Sequence, residues 1–109
     1  MSNDTLPSGV LFTGLQCSIA HITDADNTLL YHASHQHEEY GHGEWIHFTG
    51  TGYLLRLNAW QYPVLRLKQL GLSKACRRLV VTLMHHKHVT FLHLDAAGDT
   101  LPSFDIFNG

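Results

Sequence analysis

The residues of this chain with most chemical potential are its ten histidines, spread over 109 positions. Imidazole titrates near neutral pH and is a common metal ligand. His32 and His35 stand three apart, and His37, Glu38, Glu39 and His42 follow in the run His35–Gly43. Imidazole and carboxylate groups at such spacings could hold Zn²⁺ or Ni²⁺. The run contains no His-Glu-x-x-His and no Cys-x-x-Cys. A polar, solvated loop explains the same residues, and no cofactor is assigned.

His85, His86 and His88 form a second group. They fall near the end of an expected helix, where a protonated imidazole is favoured by the carbonyl end of the dipole. His47 and His93 fall in expected strands. His21 precedes an expected helix cap at a strand-to-helix turn, a common place for functional side chains. Gly50-Thr51-Gly52 lacks the lysine and the strand-loop-helix context of a phosphate loop and reads as a hairpin turn. No serine lies in a Gly-x-Ser-x-Gly elbow.

A third set is basic: Arg66, Lys68, Lys74, Arg77 and Arg78. Lys74 and Arg78 are four apart and Arg77 is three from Lys74, so all three share the polar face of a helix. Such a patch could bind an anion or nucleic acid. It belongs to a sharp segregation of charge. Residues 1–55 hold six acids and neither lysine nor arginine, residues 56–87 hold all seven bases and no acid, and the remainder holds three acids. These blocks either pair within the fold or face a partner. The net charge of −2 argues against a general nucleic-acid binder, and no aromatic RNA-binding signature is present.

The elements that must position these groups are organised around Ser73–Leu94. Cys76, Leu79, Val80 and Leu83 mark one helical face, with Ser73 as its N-cap. From Val89 to Leu94 both alternating sets carry apolar side chains, which predicts an inner strand. Upstream, Leu15–Ala20 alternates as a half-buried strand. Thr23 with Asp26 forms a capping-box pattern for a helix from Asp24 to about Ser34. Glu44–Thr49 and Tyr53–Leu57 form a hairpin. Pro63 and Gly71 suit the start and end of a short helix, Pro63–Leu70. Asp95–Asp99 is a turn, and Ser103–Phe107 a closing edge segment.

One domain, 1–109, accounts for this length, with residues 1–14 loosely ordered. The 44% hydrophobic and 15% charged content is that of a globular chain. The order predicts an α+β two-layer sandwich, an antiparallel sheet with helices on one face. The sheet follows the βαββαβ, ferredoxin-like order, with the first and last strands central. The Pro63 helix and the C-terminal segment are additions to it. Cys17 and Cys76 sit among apolar residues and read as buried thiols. No apolar run reaches membrane-span length, and the start lacks a signal-peptide pattern, so a cytoplasmic protein is expected.

Two segments carry a resemblance. Cys17-Ser-Ile-Ala-His-Ile-Thr23 and Phe91-Leu-His-Leu-Asp-Ala-Ala-Gly-Asp-Thr-Leu-Pro-Ser-Phe104 resemble an uncharacterised family of small bacterial proteins carried on plasmids, prophages and genomic islands. The resemblance implies an accessory protein of mobile DNA, inhibitor- or antitoxin-like, and transfers no catalytic residue. With no catalytic signature in the chain, the expectation is a non-enzymatic protein that works by protein–protein contact, with an open sheet face suited to a homodimer. The alternatives are a histidine-rich metal-binding protein using His32–His42, and a nucleic-acid binder using the basic face of the 73–87 helix.

Overall fold

The computed structural model describes residues 12–36 and 45–107. Among them run four strands and three α-helices: β1 (Gly14–Ser18), α1 (Asp24–Ser34), β2 (Ile46–Phe48), β3 (Gly52–Arg56), α2 (Pro63–Leu70), α3 (Lys74–Lys87) and β4 (Phe91–Asp95). The fold is α+β, as the sequence predicts.

The helix ends follow local chemistry. Thr23 accepts from the Asp26 N–H, and the Asp26 carboxylate accepts from the Thr23 N–H, completing the capping box of α1. Pro63 opens α2, and Gly71, at φ 96°, closes it in the left-handed region. The Ser73 hydroxyl accepts from the Cys76 N–H to start α3. His88 ends α3 at φ 55°, a conformation His tolerates better than a branched residue would. Gly50, at φ 93°, turns the β2–β3 hairpin, which the Thr49 N–H closes onto the Gly52 carbonyl.

The sheet order is β1-β4-β3-β2. β3 pairs antiparallel with both β2 and β4, but β1 pairs parallel with β4. The sheet is therefore mixed, not antiparallel. β4 is central as expected, whereas β1 lies at an edge, so the strand order departs from the ferredoxin-like one. The cause is α2, which is more than an addition. Arg56 at the end of β3 is opposite Phe91 at the start of β4. Two helices therefore carry the chain away and back to the same end of the sheet. A single helix would have delivered it to the far end, and β4 could not then lie antiparallel beside β3.

The register places Cys17, Leu94 and Tyr53 in one row, and Leu15, Leu92 and Leu55 in another, on the same face. Of these, Cys17, Tyr53, Leu55, Leu92 and Leu94 are buried. Leu30 of α1, Leu67 of α2, and Cys76, Leu79, Val80 and Leu83 of α3 are buried in the same core. Each fully buried leucine contributes roughly 2 kcal/mol. Gln16, His93, Leu54 and His47 form a row on the opposite face.

Residues 101–107 form no strand, so the expected C-terminal edge segment is corrected to irregular chain. It lies against the turn after β1: the Phe107 N–H donates to the Ala20 carbonyl, and the Ser18 N–H donates to the Asp99 carbonyl at 2.8 Å. Pro102 has no N–H to donate to a ladder. Gly98 packs so closely on the Cys17 backbone that a side chain would overlap the Cys17 carbonyl. The two segments that carry the family resemblance are thus one contiguous piece of the fold.

Candidate functional site

The sequence-predicted metal ligands divide. His32 and His35 are exposed at the end of α1, and His37 and His42 lie outside the described residues. The His35 ring packs on Tyr31, with centroids 4.3 Å apart, and its Nδ1 lies 2.8 Å from the Tyr31 carbonyl. Among the described residues no group of three or more His, Cys, Asp or Glu is arranged to hold a metal ion.

His21 is buried, and both ring nitrogens are engaged by backbone. Nδ1 faces the Asp105 carbonyl at 2.8 Å, and Nε2 receives the Leu101 N–H at 2.7 Å. These partners select the neutral ring with its proton on Nδ1. His21 is a clasp for the C-terminal segment, with no nitrogen left for a substrate. On the open sheet face, His93 Nε2 is 3.6 Å from an Asp95 oxygen, longer than a hydrogen bond. The Thr51 hydroxyl and the Ala97 N–H both donate to that carboxylate. They hold it below the usual carboxylate range, with a smaller contribution from His93.

Both cysteines are free and buried. Burial pushes the Cys17 thiol up to about 11. Burial, with Asp26 nearby, pushes Cys76 up to about 12 against the opposing pull of Arg77. Neither thiol is a nucleophile at neutral pH.

The five basic candidates do not form one patch. Lys74 and Arg78 line a small cavity of about 170 Å³ together with His21, Phe104 and Asp105. The Arg78 guanidinium sits 5.6 Å from the Phe104 ring centroid. Arg77 turns back, its Nε donating to the Leu72 carbonyl. Arg66 belongs to another neighbourhood, 4.3 Å above the Trp60 ring and hydrogen-bonded to Gln69. Lys68 is exposed on α2.

A larger feature lies between α2 and α3, a groove of about 490 Å³. Tyr62, Val64 and Leu65 form one wall, and Val81, Met84 and His85 the other. Tyr62 is 63% exposed and Leu65 50% exposed. α3 thus carries two apolar stripes: one enters the core, and Val81 and Met84, three apart, form a second that lines the groove, with Met84 also packed against the core. Arg77 precedes Val81 by four residues on this stripe, and Lys87 and His88 follow Met84 by three and four. On α2, Lys68 follows Leu65 by three. Of the basic and imidazole side chains of residues 63–87, His85 lines the groove. The 63–87 segment contributes no acid to oppose them. Leu79, Val80 and Leu83 belong to the core, so the sequence signal for this groove is confined to Val81 and Met84, the apolar residues of α3 beyond one core-facing stripe.

The family model for a family of unknown function, the DUF5983 C-terminal domain, matches residues 14–109. No curated protein and no solved structure matches.

Proposed function

The chain belongs to the DUF5983 C-terminal domain family, and we propose that it is a non-catalytic binding domain whose α2–α3 groove receives a segment of another protein. The observation that carries this reading is the groove itself. Large apolar side chains such as Tyr62 and Leu65 stand in solvent between two helices whose inner faces are already satisfied by the core. Amphipathic segments dock into such grooves by inserting apolar anchors. The six lysines and arginines of residues 63–87, with no acid among them, favour a segment with acidic flanks.

The two segments Cys17–Thr23 and Phe91–Phe104 support a setting in bacterial mobile DNA, where a cytoplasmic inhibitor or antitoxin acts by such contact. No helix among the described residues is long and apolar enough to cross a membrane. A nucleic-acid partner is the second reading, favoured by the six lysines and arginines and absence of acids in 63–87. The exposed apolar walls fit it less well, because phosphate recognition needs charge and not Leu65 or Met84.

The test places a photo-crosslinking residue at Leu65, and as a control at Gln16 on the open sheet, in cells that carry the gene. The expected product at Leu65 is a single protein with an acidic, apolar segment. Its purified complex should weaken by about tenfold or more in the L65E variant, at a position half exposed, with melting temperature retained. Cross-links to nucleic acid at Leu65, or unchanged affinity in L65E, would overturn the reading.

A further inference from the structure

A second surface, at the corner where α1 meets the β2–β3 hairpin, has a different character. Four rings meet there. Phe48 lies against Tyr31, His35 and Tyr53 at centroid distances of 5.3, 5.8 and 5.7 Å. Tyr31 and Phe48 are each 45% exposed. A cavity of about 330 Å³ opens beside Tyr31, lined also by Asp24, Asn27, Thr28 and Tyr53. Asp24, Asn27, Thr28 and Tyr31 follow the helical spacing of three, four and seven, so α1 presents them as one stripe.

The polar lining is rich in acceptors. Asp24 is an exposed carboxylate at the helix start. The Thr28 hydroxyl donates inward to the Asp24 carbonyl. The Tyr53 hydroxyl has one hydrogen, and it is directed at Asn27, whose carbonyl and Oδ1 lie 3.0 and 2.5 Å away. The phenol oxygen therefore keeps its lone pairs. No lysine or arginine lines the cavity, and none occurs in residues 1–55. A carboxylate, acceptor oxygens and an exposed aromatic ring attract a planar cation, which can stack on the ring and donate at its edge.

We propose that this corner receives an arginine side chain of a second protein. The charge of the site is opposite to that of the α2–α3 groove, so the proposal stands independently of the one made for that groove. Guanidinium matches it better than ammonium, because it offers a flat face to Tyr31 and several in-plane donors to Asp24 and Asn27.

The experiment titrates the full chain with capped Gly-Arg-Gly, Gly-Lys-Gly and Gly-citrulline-Gly peptides, following backbone and aromatic resonances by NMR. Arginine should give saturable shifts centred on Asp24, Asn27, Tyr31 and Phe48, with lysine weaker and neutral citrulline inactive. Tyr31→Leu and Asp24→Asn, both at exposed positions, should each weaken arginine binding about fivefold while leaving the rest of the spectrum in place. Equal binding of citrulline, shifts that persist unchanged in both variants, or no saturable shift with arginine would each overturn the proposal.

Discussion

The carboxylate of Asp26 in α1 accepts both the backbone N–H of Ser73, at 2.8 Å, and its hydroxyl, at 2.6 Å. One acidic side chain thus completes the cap of its own helix and grips the cap of α3. Asp26 is 1% exposed, so these donors replace its water. Asp26→Ala should destabilise the fold by about 3 kcal/mol, and Ser73→Ala by about 1–2 kcal/mol. A double-mutant cycle from urea denaturation should show coupling between the two. Additive losses would mean that the contact contributes little.

The His21 clasp leads to a separate expectation. His21→Leu keeps bulk in a buried position but leaves the Leu101 N–H and the Asp105 carbonyl without their ring partner. The loss should be about 2 kcal/mol. More diagnostic is its location. Amide exchange at Leu101 should accelerate selectively, and chymotrypsin should cut after Phe104 or Phe107 in the variant before the core opens. Equal protection in both proteins would show that the segment is held elsewhere.

Gly98 is required by proximity and not by its turn geometry. A side chain there would overlap the carbonyl of Cys17, a backbone atom that cannot step aside without disturbing the β1–β4 pairing. Gly98→Ala should therefore cost about 2 kcal/mol or more. Gly50→Ala is the comparison: its left-handed φ is strained, but open space surrounds it, and the cost should be about 1 kcal/mol. Thermal melts of the two variants should rank them in that order.

The contrast between local and distant chemistry explains what was legible in the sequence. The Thr23–Asp26 box, the Ser73 cap and Pro63 with Gly71 act within a few residues, and the structure has each of them. The strand expected over Val89–Leu94 is inner, but Leu92 and Leu94 are buried on one face while Phe91 and His93 on the other are only half-buried. The reach of Asp26 to Ser73 spans 47 residues and leaves no periodic trace. The parallel pairing of β1 with β4 depends on how many helices separate β3 from β4, so treating α2 as an addition gave the wrong strand order. The basic residues were visible, but their separation was not, because Trp60 draws Arg66 one way and the Leu72 carbonyl draws Arg77 another. The groove was not read from the sequence, because Val81 and Met84 simply continue the apolar run of α3.

The two thiols predict a chemical silence with a pH limit. Cys17 and Cys76 should resist a disulfide reagent in the folded protein at pH 8 and react fully in urea. Their folded values, about 11 and about 12, exceed the ordinary thiol value of about 8.5. The stability they confer is fully present below that ordinary value. It is lost as pH rises through the interval up to the folded values, because the unfolded thiols give up protons that the folded ones keep. Cys17→Ala/Cys76→Ala, compared with the parent in urea melts from pH 7 to 10, should show a flatter alkaline decline.

Asp95 makes the opposite prediction at the acid end. Its carboxyl is held low, first by the Thr51 hydroxyl and then by the Ala97 N–H, with a smaller pull from His93. A depressed value means that the folded state releases this proton more readily than the unfolded one. The resulting stability is present above the ordinary carboxylate range, near pH 4, and disappears as pH falls through the folded value. Thr51→Val removes the largest cause while keeping the shape of the side chain. The variant should be less stable than the parent at neutral pH, and the gap should close in acid, where the carboxyl is protonated in both proteins. Asp95→Asn should abolish the pH dependence of that gap, because no proton remains to be linked. Urea melts of the four proteins, parent, two single variants and double, between pH 2 and 7 measure this directly. A gap that stays constant across that range would assign the Thr51 contribution to packing of the hairpin and not to the charge on Asp95.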